Sequence, residues 1–435
     1  MQVLRGGTVV DHSGARRVDV AFDESGVIVD VGADLAVSGD DIDVDGCWVT
    51  PGLVDLQVHF RTPGPGRAET LESGALGAAL GGITACVMMP NTDPPIDSVE
   101  MVDEVRRRAA GLPCDLVASA TITRGRAGEH LTDLAALAAC GVRIFTDDGD
   151  AVADPRLMRG ALEFSSRFSG VVIAQHAEDA RLVAGGSMHE GPASRRLGRR
   201  GRPREAEDVI VARDLELARA TDGRLHVLHL SSGRSADLIR SARASGVRVT
   251  AEVTPQHLVL TDDDVESLGT SGKMNPPIRE ASDRAALVEA IRDGTIDAIA
   301  TDHAPHDCDA KSAPFESAPP GMLGVETSAA VVFTELVGNG VLSVERAVQL
   351  VSIVPARIAG LADHGGPIAV GRPANLAVID PAARWTVDAD RLASLSQNSP
   401  WNGRAMTAQV RHTVLRGAFT VRDGVPVWSP RPVTR

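Results

Sequence analysis

From Leu53 to Phe60 the chain has almost no wet face: Leu53, Val54, Leu56, Val58 and Phe60 form the kind of apolar run that a parallel sheet buries on both sides. Alternate strand residues share a face, so Gln57, His59 and Arg61 are expected to point the same way, converging where the run meets Thr62-Pro63-Gly64. Seven more β-type runs follow: Ala85 to Met89, Leu116 to Ala120, Val142 to Thr146, Val171 to Gln175, Leu225 to His229, Val247 to Val253 and Ala298 to Thr301. Between them, stretches such as Val99 to Ala110, Pro155 to Phe168, Ala206 to Ala220 and Asp283 to Ile291 carry helical spacing. Strand and helix in alternation imply a parallel sheet, and eight units imply a closed (β/α)8 barrel over residues 52–362.

The rhythm differs at both ends. Residues 1–51 alternate short β-type runs (Val3 to Val10, Val18 to Phe22, Val27 to Val31) with Gly/Asp turns, which predicts a small antiparallel sheet. Similar runs return at Asn375 to Ile379, Ala408 to Leu415 and Val421. The fold class expected is therefore α/β, a TIM barrel inserted in a small β-sandwich domain to which residues 1–51 and 363–435 both contribute.

Composition narrows the partners. The 435 residues are 43% hydrophobic and 23% charged, globular values, and the formal charge of −14 argues against nucleic acid or an anionic membrane as partner. The five cysteines show no C-x-x-C spacing, Met1 to Arg5 does not begin a signal-peptide core, and no apolar run reaches spanning length; a soluble, cytoplasmic protein is expected.

Polar residues cluster where barrel strands should end. Strand one delivers Gln57, His59 and Arg61; strand two runs into Asn91; strand four into Asp147-Asp148-Gly149. Strands five, six, seven and eight end in His176, His229, His257 and Asp302-His303-Ala304-Pro305-His306. A lone histidine at a strand end is usually structural, but several converging with carboxylates at one mouth suit a borderline metal such as zinc.

The order and spelling of these segments resemble the amidohydrolase superfamily, and within it dihydroorotases of the class with Asp-Asp-Gly on strand four. The resemblance runs from Pro51-Gly52-Leu53-Val54-Asp55 through Met88-Met89-Pro90-Asn91-Thr92, His176-Ala177-Glu178-Asp179 and Lys273-Met274-Asn275-Pro276-Pro277-Ile278-Arg279 to Ala300-Thr301-Asp302-His303-Ala304-Pro305-His306. Relatives such as hydantoinase bridge two metals with a carboxylated lysine on strand four; the only lysines here are Lys273 and Lys311, so Asp148 takes that place. The resemblance implies one or two zinc or other divalent ions on His59, Asp148, His176, His229 and Asp302, with Asp302 also shuttling a proton. It further implies that Arg61, Asn91 and His306 grip a substrate carboxylate and that Asn275 contacts the ring. The implied chemistry is hydrolysis of a cyclic amide, reversibly linking dihydroorotate and carbamoyl-aspartate.

Three positions depart from the family pattern: Gln57 replaces the first His of His-x-His, Thr62 an acidic residue, and Gln256 the first His of Thr-Pro-His-His. An amide oxygen binds zinc poorly beside imidazole, so one metal position is expected to be weakened. Two further readings accordingly stand beside the first: a specialised paralogue acting on another imide, ureide or lactam, and a non-catalytic structural partner of an aspartate transcarbamoylase. A homo-oligomer is expected. His12, His130, His189 and His364 are read as surface residues, His226 and His257 as supports or core, and Arg195 to Arg204 as a solvated basic loop. Cys47 and Trp48 are expected to pack beneath the small domain, and Cys308 to be a solvated loop thiol.

Overall fold

The computed structural model describes residues 1–36 and 41–429; positions 37–40 and 430–435 of the expected β domain lie outside the described residues. Eight parallel strands form the barrel: Leu53–Val58, Ile83–Met88, Asp115–Ala118, Ile144–Phe145, Val172–Gln175, Leu225–Val227, Val249–Val253 and Ala298–Ile299. Ladders join the first three and the last five. Two isolated parallel bridges, Ala120 with Phe145 and Val58 with His303, complete the ring. At the second seam the His59 amide donates to the His303 carbonyl (2.9 Å). Asp55 reinforces it, accepting from the Thr301 amide (3.1 Å) and hydroxyl (2.6 Å).

Helices cover the outside. Pro155–Arg167 starts with Asp154 accepting the Arg156 amide and Pro at its first turn, and Gly233–Ala244 starts with the Ser232 hydroxyl accepting the Arg234 and Ser235 amides. Small and aliphatic side chains fill the barrel interior, among them Leu56, Val87, Ile144, Ala174, Leu228 and Ala298.

Strand one departs from simple alternation. Its register shifts between Asp55 and Val58 and the strand ends at Val58, so His59 and Arg61 belong to the following loop, Arg61 in the left-handed region at φ 52°. All three polar residues still reach the mouth.

The termini build two sheets where a single antiparallel sheet was expected of the first fifty residues. Four strands run in the order Ile28–Gly32, Asp19–Phe22, Gln2–Arg5, Asp41–Asp43. Seven form the second sheet, in which Leu376–Asp380 pairs antiparallel with Trp48–Pro51 and so joins both ends of the chain. The run from Val3 to Val10 breaks at Gly6 (φ 76°), which carries the chain from one sheet to the other. Parallel pairing of Gln2–Arg5 with Asp41–Asp43 and of Thr8–Asp11 with Trp48–Pro51 follows. Leu4, Phe22, Cys47, Val49, Leu376 and Val414 pack between the sheets, whereas Trp48 faces the barrel side and meets Phe333.

Glu326, after strand eight, accepts the Ala393 amide (2.8 Å). Burial raises its carboxyl to about 7, opposed by that hydrogen bond and reinforced by Glu69. The folded state therefore holds the proton more tightly than the unfolded chain. This contribution to stability is complete below the ordinary value near 4.5 and is lost as pH rises through 7. Glu326→Gln is expected to stabilise the protein by about 1 kcal/mol at pH 8 and to change little at pH 4.5, read from urea unfolding at both pH values. Equal effects at both would reject the assignment.

Candidate metal centre and substrate cavity

The ends of strands one, two, four, five, six and eight, with the segment that carries Asn275, bring the candidate residues to one mouth. Asp148 follows strand four, its amide held by the Thr146 hydroxyl (3.1 Å). Around its carboxylate lie His59 Nε2 at 3.3 Å, His229 Nε2 at 3.5 Å and His176 Nδ1 at 3.6 Å. The nitrogens His176 Nδ1 and His229 Nε2 are only 2.8 Å apart. All of these side chains are buried. One ligand atom from each of Asp148, His176 and His229 falls within a 4.8 Å cluster.

The donor chemistry fits a divalent cation. Burial works to raise the Asp148 carboxyl, yet hydrogen bonding to His176 and His229 and the charge of His59 and His176 hold it well below the usual carboxylate range. Burial works against charge on His176, but Asp148 and Glu178 push it up to about 10. Buried carboxylates that would force a proton onto an imidazole create a negative field that a bound cation answers equally well. His59 reaches Asp302 Oδ1 through Nε2 (2.9 Å) and Asn91 Oδ1 through Nδ1 (2.8 Å), an arrangement in which the amide oxygen keeps the proton on Nδ1.

Gln57 presents its amide nitrogen to this cluster. Nε2 donates to Asp148 Oδ1 (3.0 Å), while its buried Oε1 has no partner. A carboxylate only accepts, so the amide must face it nitrogen first, and Gln57 offers Asp148 a donor where a metal would need a lone pair. The other two departures lie apart from these ligand atoms: Gln256 Nε2 donates to the Thr301 carbonyl (3.2 Å), and Thr62 is buried beside the loop after strand one.

Beside the cluster opens a cavity of about 220 Å³ lined by Arg61, Asn91, Asn275, His306, Pro320 and Gly321 together with the histidines and both aspartates. Arg61 Nε donates to the Pro305 carbonyl (3.3 Å). His306 Nε2 donates to the Pro320 carbonyl (2.8 Å), and burial together with the Arg61 charge lowers its pKa to about 3, so the ring is neutral near pH 7. Gly321, at φ 149°, lies so close that an added Cβ would come within 2.8 Å of the His306 ring and 2.6 Å of the Ala304 carbonyl. Lys273 Nζ donates to the carbonyls of Phe315, Glu316 and Ala318, and Lys311 Nζ to those of Pro319 and Gly321, so the chain's two lysines brace this wall. Arg61, His229 (φ 31°) and Asp302 (φ 47°) all occupy the left-handed region that side chains avoid, backbone strain gathered at one mouth.

Several sequence expectations are corrected. His189 and His364 are buried: His364 Nε2 meets Asp115 (2.9 Å), and His189 Nδ1 faces Arg279 (3.3 Å). Their polar flanking residues gave no sign of tertiary cover. His226 and His257 lie in the core as expected, His226 paired with Glu252 (3.1 Å) and His257 with Thr254 (2.9 Å). The basic stretch Arg195 to Arg204 is no uniform solvated loop, because Arg202 turns inward onto Glu178 and Asn275. Nothing local in that arginine-rich segment marks one arginine as different. Cys308 is exposed as expected.

A "Dihydro-orotase-like" family model matches residues 46–235 and an "Amidohydrolase family" model residues 207–421. A dihydroorotase of Mycobacterium tuberculosis is 46% identical over 98% of this chain and 99% of its own length. One of Streptomyces coelicolor is 42% identical over 97% and 98%. Among solved structures, the L-hydantoinase (dihydropyrimidinase) of Arthrobacter aurescens superposes with a TM-score of 0.88 at 26% identity, covering 98% of this chain and 97% of that one. The dihydropyrimidinase of Brevibacillus agri NCHU1002 shares the fold, with a TM-score of 0.85 at 24% identity over 98% and 96%. With relatives this similar along nearly its whole length, the chain belongs to the dihydroorotase-like family of amidohydrolases.

Proposed function

We propose that the chain reversibly hydrolyses a cyclic amide bearing a carboxylate, interconverting dihydroorotate and carbamoyl-aspartate, with zinc as the bound metal. The observation that carries this reading is the convergence of His59, His176 and His229 on the Asp148 carboxylate, with Asp302 against His59, beside a cavity lined by Arg61. Asp148, His176 and His229 would hold the ion, with His59 and Asp302 next to them. A divalent ion there supplies an acidified water and polarises the amide carbonyl. Asp302 Oδ1 takes the proton of the attacking water and delivers it to the ring nitrogen as the C–N bond breaks and a C–O bond forms. Asn91 holds the His59 tautomer, and Arg61 supplies a fork of donors for the substrate carboxylate. Asn275 faces the ring, and His306 shapes the carboxylate end of the cavity.

The division of labour follows: residues 52–362 carry the chemistry, and residues 1–51 and 363–435 support them. The same reading includes a cytoplasmic location, supported by five free cysteines, and a homo-oligomer. No helix among the described residues is long and apolar enough to cross a membrane. Turnover of dihydroorotate or carbamoyl-aspartate by the zinc-loaded protein tests the reaction, and no turnover in either direction rejects it. Gln57 favours a second reading, a paralogue for a different imide, ureide or lactam, which turnover of such a ring in preference to dihydroorotate would support. A non-catalytic partner of an aspartate transcarbamoylase is the outcome left if no ring is turned over and the two proteins co-sediment.

Gln57 also sets the metal count. Wild type is expected to hold about one zinc per chain and Gln57→His about two, since a second imidazole would replace the amide donor on Asp148. Elemental analysis after exhaustive dialysis reads this, and two ions in wild type would overturn it.

A further inference from the structure

Arg202 is placed with more care than its basic surroundings predict. Gly201–Arg202 pairs in parallel with Met188–His189, and Gly201 packs so tightly that a Cβ would come within 2.4 Å of the Glu190 Cα. The Arg202 carbonyl accepts from the Glu190 amide (3.0 Å) and from Arg279 Nη1 (3.3 Å). With its backbone pinned, the side chain spans three acceptors: Nε donates to the Gly186 carbonyl (2.8 Å), and Nη1 to Glu178 Oε2 (3.0 Å) and Asn275 Oδ1 (2.5 Å). Its side chain is 14% exposed and that of Glu178 7%.

A guanidinium has no lone pair to offer, so the Asn275 atom against it must be the carbonyl oxygen. That is the only hydrogen bond Asn275's side chain makes among the described residues, which leaves both Nδ2 hydrogens at the cavity wall without a protein acceptor. We infer that Arg202 is a positioning residue: it locks the Asn275 amide with its donors toward the substrate, so that this wall selects a ring presenting an acceptor there, a carbonyl or carboxylate oxygen, and rejects one presenting N–H. The inference rests on the proposed reaction and names the residue that sets its polarity preference. Glu178 lies 3.8 Å from His176 Nε2, so the same arginine ties the wall to a candidate metal ligand.

The test is a double-mutant cycle with dihydroorotate as substrate. Arg202→Ala is expected to raise KM about 10-fold with kcat within about 3-fold, because an unlocked amide loses a ground-state contact shared by the transition state. Asn275→Ala should have a similar effect, and the double variant should be no worse than Asn275→Ala alone. Zinc content should match wild type in all four proteins, which separates this route from one through Glu178 and His176. Arg202→Lys keeps a cation beside Glu178 without the fork and serves if the alanine variant does not fold; it should show the raised KM as well. An unchanged KM, or effects that multiply in the double variant, overturns the inference while wild-type turnover leaves the reaction standing. Absence of wild-type turnover and binding removes both.

Discussion

Replacing His229 with alanine is expected to lower kcat/KM at least about 10⁴-fold and to bring bound zinc below about 0.1 per chain. His229 Nε2 lies 2.8 Å from His176 Nδ1 and 3.5 Å from Asp148, so its loss removes one of three donors from the tightest cluster in the mouth. His257 cannot replace it, because its ring is committed to Thr254 and the Pro276 carbonyl. The backbone there sits at φ 31°, where alanine is no better accommodated than histidine, so a circular dichroism melt should accompany the assay. Full zinc occupancy with activity within 10-fold of wild type would show that the ion sits elsewhere.

Asp302→Asn should separate metal holding from proton transfer. Asparagine keeps the shape, can hydrogen-bond the His59 Nε2 that faces it, and is among the residues best tolerated at φ 47°. It cannot carry the proton from water to the leaving nitrogen. We expect kcat to fall by about 10³- to 10⁴-fold with zinc largely retained. A variant that loses zinc in proportion to activity would make Asp302 a ligand first and a proton carrier second.

The barrel was legible because its signal is local: apolar runs of strand length separated by helical stretches recur eight times, and polar residues stand at or just past the ends of most of them. His59, Asp148, His176, His229 and Asp302 could be picked out for the same reason, each marking the carboxyl end of a strand. What escaped is tertiary. Gly6 diverting a β-type run into a second sheet, and the bulge in strand one, depend on which neighbours the strands find. The burial of His189 and His364 depends on covering elements far away in sequence, such as Arg279 and Asp115. Arg202 could not be told from the arginines around it, since its role comes from Glu178 and Asn275, the latter 73 residues distant. Gln57 was visible as a departure, but only the geometry shows it presenting nitrogen to Asp148.

The seam between strands one and eight has a temporal consequence. His59 and Asp302 face each other across 243 residues of chain, and the backbone bond that brings them together is the one that closes the ring. During synthesis the amino-terminal wall of the site must wait, incomplete, until the last strand has left the ribosome and docked. If these residues hold the proposed ion, its capture by the full donor set is a late event that reports a finished barrel, and a chain truncated before Ala298 would carry three histidines and an aspartate yet have no mouth in which to assemble them.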